Sequence, residues 1–214
     1  MRLFIAIELP EGIKAELEKS AASVHGACER GTFTRRENFH LTLAFLGETD
    51  PSRIREIIRL MDDCPSRSIP ITIGHMGRFK RREGDVLWRQ VEADKSLFQL
   101  QKTLAHGLRS LGLPLEDREF VPHLTLARRV VLKDGIKLRD LSAQMPDLAY
   151  MAHNMTLMQS KQMNRRTTYI PLHCSALDKL GTCLTDSLAG ILHGGYDWKD
   201  AKEERLKTKY EDAE

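Results

Sequence analysis

Apolar and polar positions follow two rhythms along the chain, and the switches between them mark its elements. Residues 3–8 read as an apolar strand, and residues 10–28 follow as a helix with Ile13, Leu17, Ala21 and Val24 at helical spacing. Residues 40–46 alternate with period two and predict a strand. Asp50 then supplies an N-cap and Pro51 a first-turn proline for a helix over 52–63. Strands are expected over 69–76 and 86–93, joined by a basic loop. Asp94 caps a helix through Leu111, with Leu97, Leu100, Leu104 and Leu108 as its apolar stripe and Gly112 at its end. The second half repeats the theme with a strand through His123, a loop with short strands over 130–141, and strands over 152–159 and 167–175. This alternation in two similar halves predicts an α+β fold. Residues 182–195 predict a short apolar helix, and 197–214 form a charged, aromatic-poor tail, either a solvated helix or disordered.

Within that pattern one tetrapeptide occurs twice, as His40-Leu41-Thr42-Leu43 and, 83 positions later, as His123-Leu124-Thr125-Leu126. Strand side chains alternate faces, so His and Thr share one face in each copy and the two leucines share the other. Burying the leucines leaves an imidazole and a hydroxyl side by side on a rigid strand. Two such strands facing one another make a site with two imidazoles and two hydroxyls.

Phosphodiester hydrolysis suits such a site. It needs a base for the attacking water, an acid for the departing oxygen, and donors to the phosphoryl oxygens. Histidine performs the first two tasks near neutrality because its unperturbed pKa is about 6.5. In-line displacement asks for base and acid on opposite walls of one cleft. The threonines can hold the phosphate without a metal. A single His-x-Thr in a strand is ordinary β composition, but duplication within two alternating apolar runs is not explained that way. Zinc is the competing chemistry, yet each copy supplies one ligand and no Cys, Asp or Glu lies at ligand spacing beside it.

Composition narrows the setting. With 214 residues, 41% of them hydrophobic, the chain can build a sizeable core in one domain or two small lobes. It has no apolar run of about 18 residues and no basic-then-apolar leader, so a cytoplasmic protein that engages no membrane is expected. The four cysteines, at 28, 64, 174 and 183, share no Cys-x-x-Cys spacing and read as reduced thiols. The net charge of +3 is mild, but Lys and Arg cluster at Arg35-Arg36, 78–82, Arg128-Arg129 and 161–166, which fits a polyanionic substrate.

Four ordered blocks give the chain a resemblance. They are Met1-Arg2-Leu3-Phe4-Ile5-Ala6-Ile7-Glu8-Leu9-Pro10, the stretch from Glu37-Asn38-Phe39-His40 to Leu46-Gly47-Glu48, the segment around Val86-Leu87-Trp88, and Phe120-Val121-Pro122-His123 through Arg128. Leu157-Met158-Gln159-Ser160 and Tyr169 close the series. From Met1 to about Leu177 the chain resembles the 2H phosphoesterases, and within them the bacterial and archaeal RNA 2′,3′-cyclic phosphodiesterases, also called LigT-like or 2′-5′ RNA ligase proteins. The resemblance implies a two-lobed duplicated fold over 1–177, antiparallel sheets lining a central cleft with helices outside, and an extension over 178–214. It departs at Thr34-Arg35-Arg36, where the family commonly has an aromatic residue a few positions before the Glu-Asn, which leaves base stacking at that edge of the cleft an open expectation.

The resemblance also implies an activity: metal-independent, cofactor-free hydrolysis of RNA 2′,3′-cyclic phosphate ends to 2′-phosphates. His40 would be the proton donor to O3′ and His123 the proton acceptor from water, with Thr42 and Thr125 binding the phosphate. The sequence itself leaves open which histidine plays which part. Run backward, the same pair would join a cyclic end to a 5′-hydroxyl. Arg128 is a further phosphate-binding candidate, because it stands at the end of the motif strand. Phe4 either lines the cleft beneath a base or fills the core, and the core is favoured because Leu3, Ile5 and Ile7 make its strand strongly apolar. The histidines at 25, 75, 106, 153, 173 and 193 are read as structural or surface residues. RNA is the expected partner, with no protein partner and a monomeric chain. A small cyclic nucleotide such as ADP-ribose cyclic phosphate is an alternative substrate, and a non-catalytic module gripping RNA ends is an alternative role.

Overall fold

The structure, a computed structural model, describes residues 1–163 and 166–178. The compact unit Met1–Asp178 holds all of the elements below. In chain order they are β1 (Arg2–Glu8), α1 (Glu11–Gly26), β2 (Cys28–Phe33), β3 (His40–Glu48), α2 (Ile54–Asp63), β4 (Ile69–Phe79), β5 (Asp85–Ala93), α3 (Lys95–Ser110), β6 (His123–Leu132), α4 (Leu138–Ser142), β7 (Leu148–Ala152), β8 (Asn154–Met163) and β9 (Arg166–Ala176). The short apolar helix and the charged tail expected beyond 178 lie outside the described residues.

The strands form two antiparallel sheets. The first has the order β3-β1-β8-β9 and the second β2-β6-β5-β4-β7. One cluster of buried side chains joins both: Leu3, Ile5 and Ile7 on β1, Leu41 and Leu43 on β3, Leu87 and Val91 on β5, and Leu124 and Leu126 on β6. Helix residues Leu17, Ala21 and Val24 of α1, Ile57 and Met61 of α2, and Leu97, Leu100, Leu104 and Leu108 of α3 complete it. The core thus lies between sheets and helices, as amphipathic elements require, and leaves the other sheet faces for a cleft.

The helix boundaries follow from local chemistry. Asp94 accepts a hydrogen bond from the Ser96 backbone N–H at 2.8 Å to start α3, and Asp50 does the same for Ser52, where Pro51 opens a 3-10 turn leading into α2. Gly112, at φ +76°, ends the α3 segment in the left-handed region that glycine enters without penalty. Helix packing crosses between the halves: α1, which follows β1, lies against β2 and β6 of the second sheet, whereas α3, which follows β5, touches β3 of the first. Gln101 of α3 fixes that contact by donating to the Leu43 carbonyl at 3.4 Å.

Three expectations need correction. Residues 130–132 continue β6, and Leu138–Ser142 is a short helix where short strands were expected. The edge strands β2 and β7 lie where no strand was expected: β2 buries only its first residue and so carries no period-two signal, whereas β7 alternates, with Leu148, Tyr150 and Ala152 turned inward, over only five residues. Finally, Phe4 does not join the main core. It shares a strand face with Ala6, not with Leu3, Ile5 and Ile7, and packs with Met158 and Tyr169 in a separate cluster on the cleft side. Cys28 and Cys64 are buried and Cys174 is exposed. Among the described residues no helix is long and apolar enough to cross a membrane.

Candidate active site

The two motif strands have the same architecture residue by residue. On β3, Leu41 and Leu43 are buried while His40 and Thr42 are half-buried on the opposite face; on β6, Leu124 and Leu126 are buried and His123 and Thr125 take the other face. Each motif strand has a companion, β1 for β3 and β5 for β6. Thr42 pairs with Ala6 and Ala44 with Ile5, which leaves Leu43 as an extra residue. Thr125 pairs with Trp88 and Ala127 with Leu87, leaving Leu126 extra in the same way. Such a bulge turns two consecutive side chains toward one face and re-aims the next. Leu43 with Ala44, and Leu126 with Ala127, are accordingly buried in succession, and Phe45 and Arg128 emerge exposed on the cleft side.

Both imidazoles are anchored to their own strands. His40 Nδ1 lies 2.8 Å from the Asn38 carbonyl and His123 Nδ1 lies 2.7 Å from the Val121 carbonyl. A carbonyl can only accept, so each Nδ1 carries the hydrogen and each Nε2 is the nitrogen left for proton transfer. Aromatic rings hold the other faces of the imidazoles. Phe4 and Tyr169 stand 4.8 Å and 5.0 Å from the His40 ring, and Phe79 and Trp88 stand 5.0 Å and 5.9 Å from that of His123. Gly77 makes room for the second wall, since a Cβ there would lie 2.2 Å from the Trp88 ring.

Electrostatics tie the strands together. Burial pushes His40 down to about 4, the positive charges of Arg128 and His123 add to this, and the Asn38 carbonyl and Glu8 oppose it. His123 is also lowered, first by burial, then by Arg128 and Arg118, against the Val121 carbonyl. Arg128 therefore acts on both histidines, as a guanidinium placed for a phosphate between them would. Three arginines of the other basic clusters are engaged in pairs or hydrogen bonds. Arg35 donates to the Thr167 carbonyl at 2.6 Å and pairs with Glu37, Arg36 pairs with Glu11, and Arg78 pairs with Asp85. Arg35 also lines an open pocket of about 500 Å³ with Met163, Arg166 and Thr168.

The structure thus brings His40, Thr42, His123, Thr125, Arg128 and Phe4 to the cleft side of their sheets. The residues not foreseen there are Phe79, Gln90 and Glu8. Glu8 carried a sequence signal, being the one charge inside the otherwise apolar run from Leu3 to Leu9 and two positions from Ala6. His173, 2.9 Å from Asp62, and His153, 2.8 Å from Ser68, make structural contacts elsewhere.

A family model described as the 2′-5′ RNA ligase superfamily matches residues 10–164. The chain belongs to this superfamily. The RNA 2′,3′-cyclic phosphodiesterase of Methanocaldococcus jannaschii is 32% identical over 151 residues, covering 70% of this chain and 84% of that one. The Escherichia coli protein of the same description is 29% identical and covers 82% of this chain and 96% of that one. Among solved structures, E. coli LigT complexed with 3′-AMP superposes with a TM-score of 0.69 at 28% identity, over 82% of this chain and 97% of that one. Superfamily membership and the two antiparallel sheets agree on the fold.

Proposed function

We propose that this chain is an RNA 2′,3′-cyclic phosphodiesterase in which His40 and His123 form an acid/base pair. The observation that carries the reading is the anchoring of both Nδ1 atoms to backbone carbonyls, which dedicates both Nε2 atoms to proton transfer. Water attacks phosphorus while His123 Nε2 takes its proton. The P–O3′ bond breaks, and His40 delivers a proton to O3′, leaving a 2′-phosphomonoester. Thr42, Thr125 and Arg128 hold the non-bridging oxygens, where charge accumulates in the transition state. The catalytic domain is residues 1–177, and 178–214 is an extension to it.

At neutral pH the free His40 is mostly unprotonated, given its value of about 4. An entering phosphodiester anion favours the charged imidazole, so substrate binding itself loads the acid. In reverse, the same pair joins a cyclic end to a 5′-hydroxyl. A site that only grips RNA ends gains little from two titratable rings.

The test is incubation with a cyclic-phosphate-ended oligonucleotide in excess EDTA, with the product identified by mass and by phosphatase sensitivity. A 2′-phosphate is expected. Activity lost to EDTA and restored by Zn²⁺ or Mn²⁺ would refute the metal-free mechanism, and no hydrolysis at all would refute the reading.

A further inference from the structure

Among the differences between the matched ladders, one lies directly opposite the two histidines. Ile5, Ala6, Ile7 and Glu8 of β1 stand to β3 as Leu87, Trp88, Arg89 and Gln90 of β5 stand to β6. At the last of these stations Glu8 is directly opposite His40, whereas Gln90 is directly opposite His123. Residues directly opposite in an antiparallel pair share a face and lie close enough to interact. One histidine therefore faces a carboxylate across its ladder and the other faces a neutral amide of the same length.

Glu8, exposed at the end of β1, is held by one hydrogen bond. Thr156, 1% exposed on β8, donates its hydroxyl to Glu8 Oε1 at 2.8 Å. The carboxylate does not compete for the His40 Nδ1 proton, which the Asn38 carbonyl already holds. We propose that Glu8 is the positioning residue that makes His40, rather than His123, the proton donor, by favouring the charged form of the imidazole it faces. This rests on the acid/base reading above and places an asymmetry directly beside the two histidines.

The surroundings of both rings support the assignment. His40 is faced by Glu8 from β1, by His123 and Arg128 from β6, and by the Tyr169 ring from β9; Glu8 is the group among these that favours its charge. His123 is faced by Arg128 on its own strand, by Arg118 from the preceding loop, and by Trp88 and Gln90 from β5, and none of these is an anion. Glu8 thus opposes the lowering of His40 by burial, Arg128 and His123, and no anion does the same for His123; once the substrate anion has entered, that difference favours charge on His40.

The experiment compares wild type, Glu8→Gln and Glu8→Asp by NMR titration of the histidine rings. It adds hydrolysis of an RNA cyclic phosphate and of its analogue with sulfur in place of O3′, a leaving group that needs no proton. Glu8→Gln should lower the His40 midpoint by more than that of His123. It should slow the oxygen substrate about three- to tenfold, the equivalent of a half to one pKa unit, and leave the sulfur substrate near the wild-type rate, with Glu8→Asp restoring most of the loss. An unchanged His40 midpoint, or an equal loss on both substrates, would overturn the role of Glu8. Wild type inactive on both substrates would instead overturn the reading beneath it, while the titration would still report on Glu8.

Discussion

Phe45 and Arg128 occupy the same station on the two motif strands, each turned onto the cleft face by a one-residue bulge after the second leucine of its motif. Arg2 stacks over the Phe45 ring at 5.1 Å, so that wall presents an aromatic platform where the other presents a bare cation. Arg128→Ala should reduce kcat/KM on RNA by about tenfold or more through a lost charge-assisted contact. It should also flatten the salt dependence by about 0.7 in the log–log slope, one phosphate contact on a single strand. Rates measured across a salt series check both, and an unchanged slope would place Arg128 outside the phosphate site.

His40→Ala and His123→Ala should each cost roughly 10² to 10⁴ in rate, with the double variant far from additive because the two act as a unit. On a substrate with an activated leaving group His40→Ala should recover and His123→Ala should not. Recovery at His123→Ala would exchange the two roles.

The low value of His40 has a stability consequence whose sign is fixed by burial. The unfolded chain takes up a proton near 6.5 and the folded one near 4, so the stability held above pH 6.5 is lost as pH falls toward 4. Between pH 7 and 4.5 wild type should lose about 2 kcal/mol more than His40→Asn. Urea melts at the two pH values measure this, and parallel losses would mean that His40 titrates normally.

Gly77→Ala puts a methyl into the Trp88 ring and must displace the wall beside His123. Overpacking of this kind costs about 1 to 3 kcal/mol. Thermal melts should show that cost, and activity should fall with it, because Trp88 pairs with Thr125. A variant with wild-type stability and turnover would mean that the indole is free to move.

Arg89 is 1% exposed, and its guanidinium donates to the carbonyls of Gly74, Ile73 and Pro146 and to Ser20 Oγ. Arg89→Ala strands those acceptors and should cost about 3 to 5 kcal/mol. Denaturant titration checks this, and a loss below 1 kcal/mol would show that the carbonyls find other partners.

Much of this was legible because the capped helices and the leucine-lined motif strands carry strong periodic signals. The fifth shared residue, Ala44 in one copy and Ala127 in the other, was the written trace of the bulges: an apolar residue following leucine breaks period two. Strand β2 left no such trace, since an exposed edge is held by its neighbour's backbone rather than by its own side chains, and the alternation of β7 spans only five residues. Glu8 and Gln90 became comparable only once the ladders fixed their registers, which depend on pairing over long stretches of chain.

The crossing of α1 and α3 bears on ancestry. Each half runs strand, helix, motif strand, as β1–α1–β3 and β5–α3–β6, with β2 interposed in the first, and each helix reaches the sheet built around the other half's motif strand. If the halves descend from one repeated unit, a lone unit would have lacked the cover that its twin's helix provides. The ancestor would then have been a helix-exchanged homodimer with one histidine per subunit, symmetric and without a distinct acid or base. Fusion into a single chain would then have freed each pair, Glu8 with Gln90 and Phe45 with Arg128, to diverge.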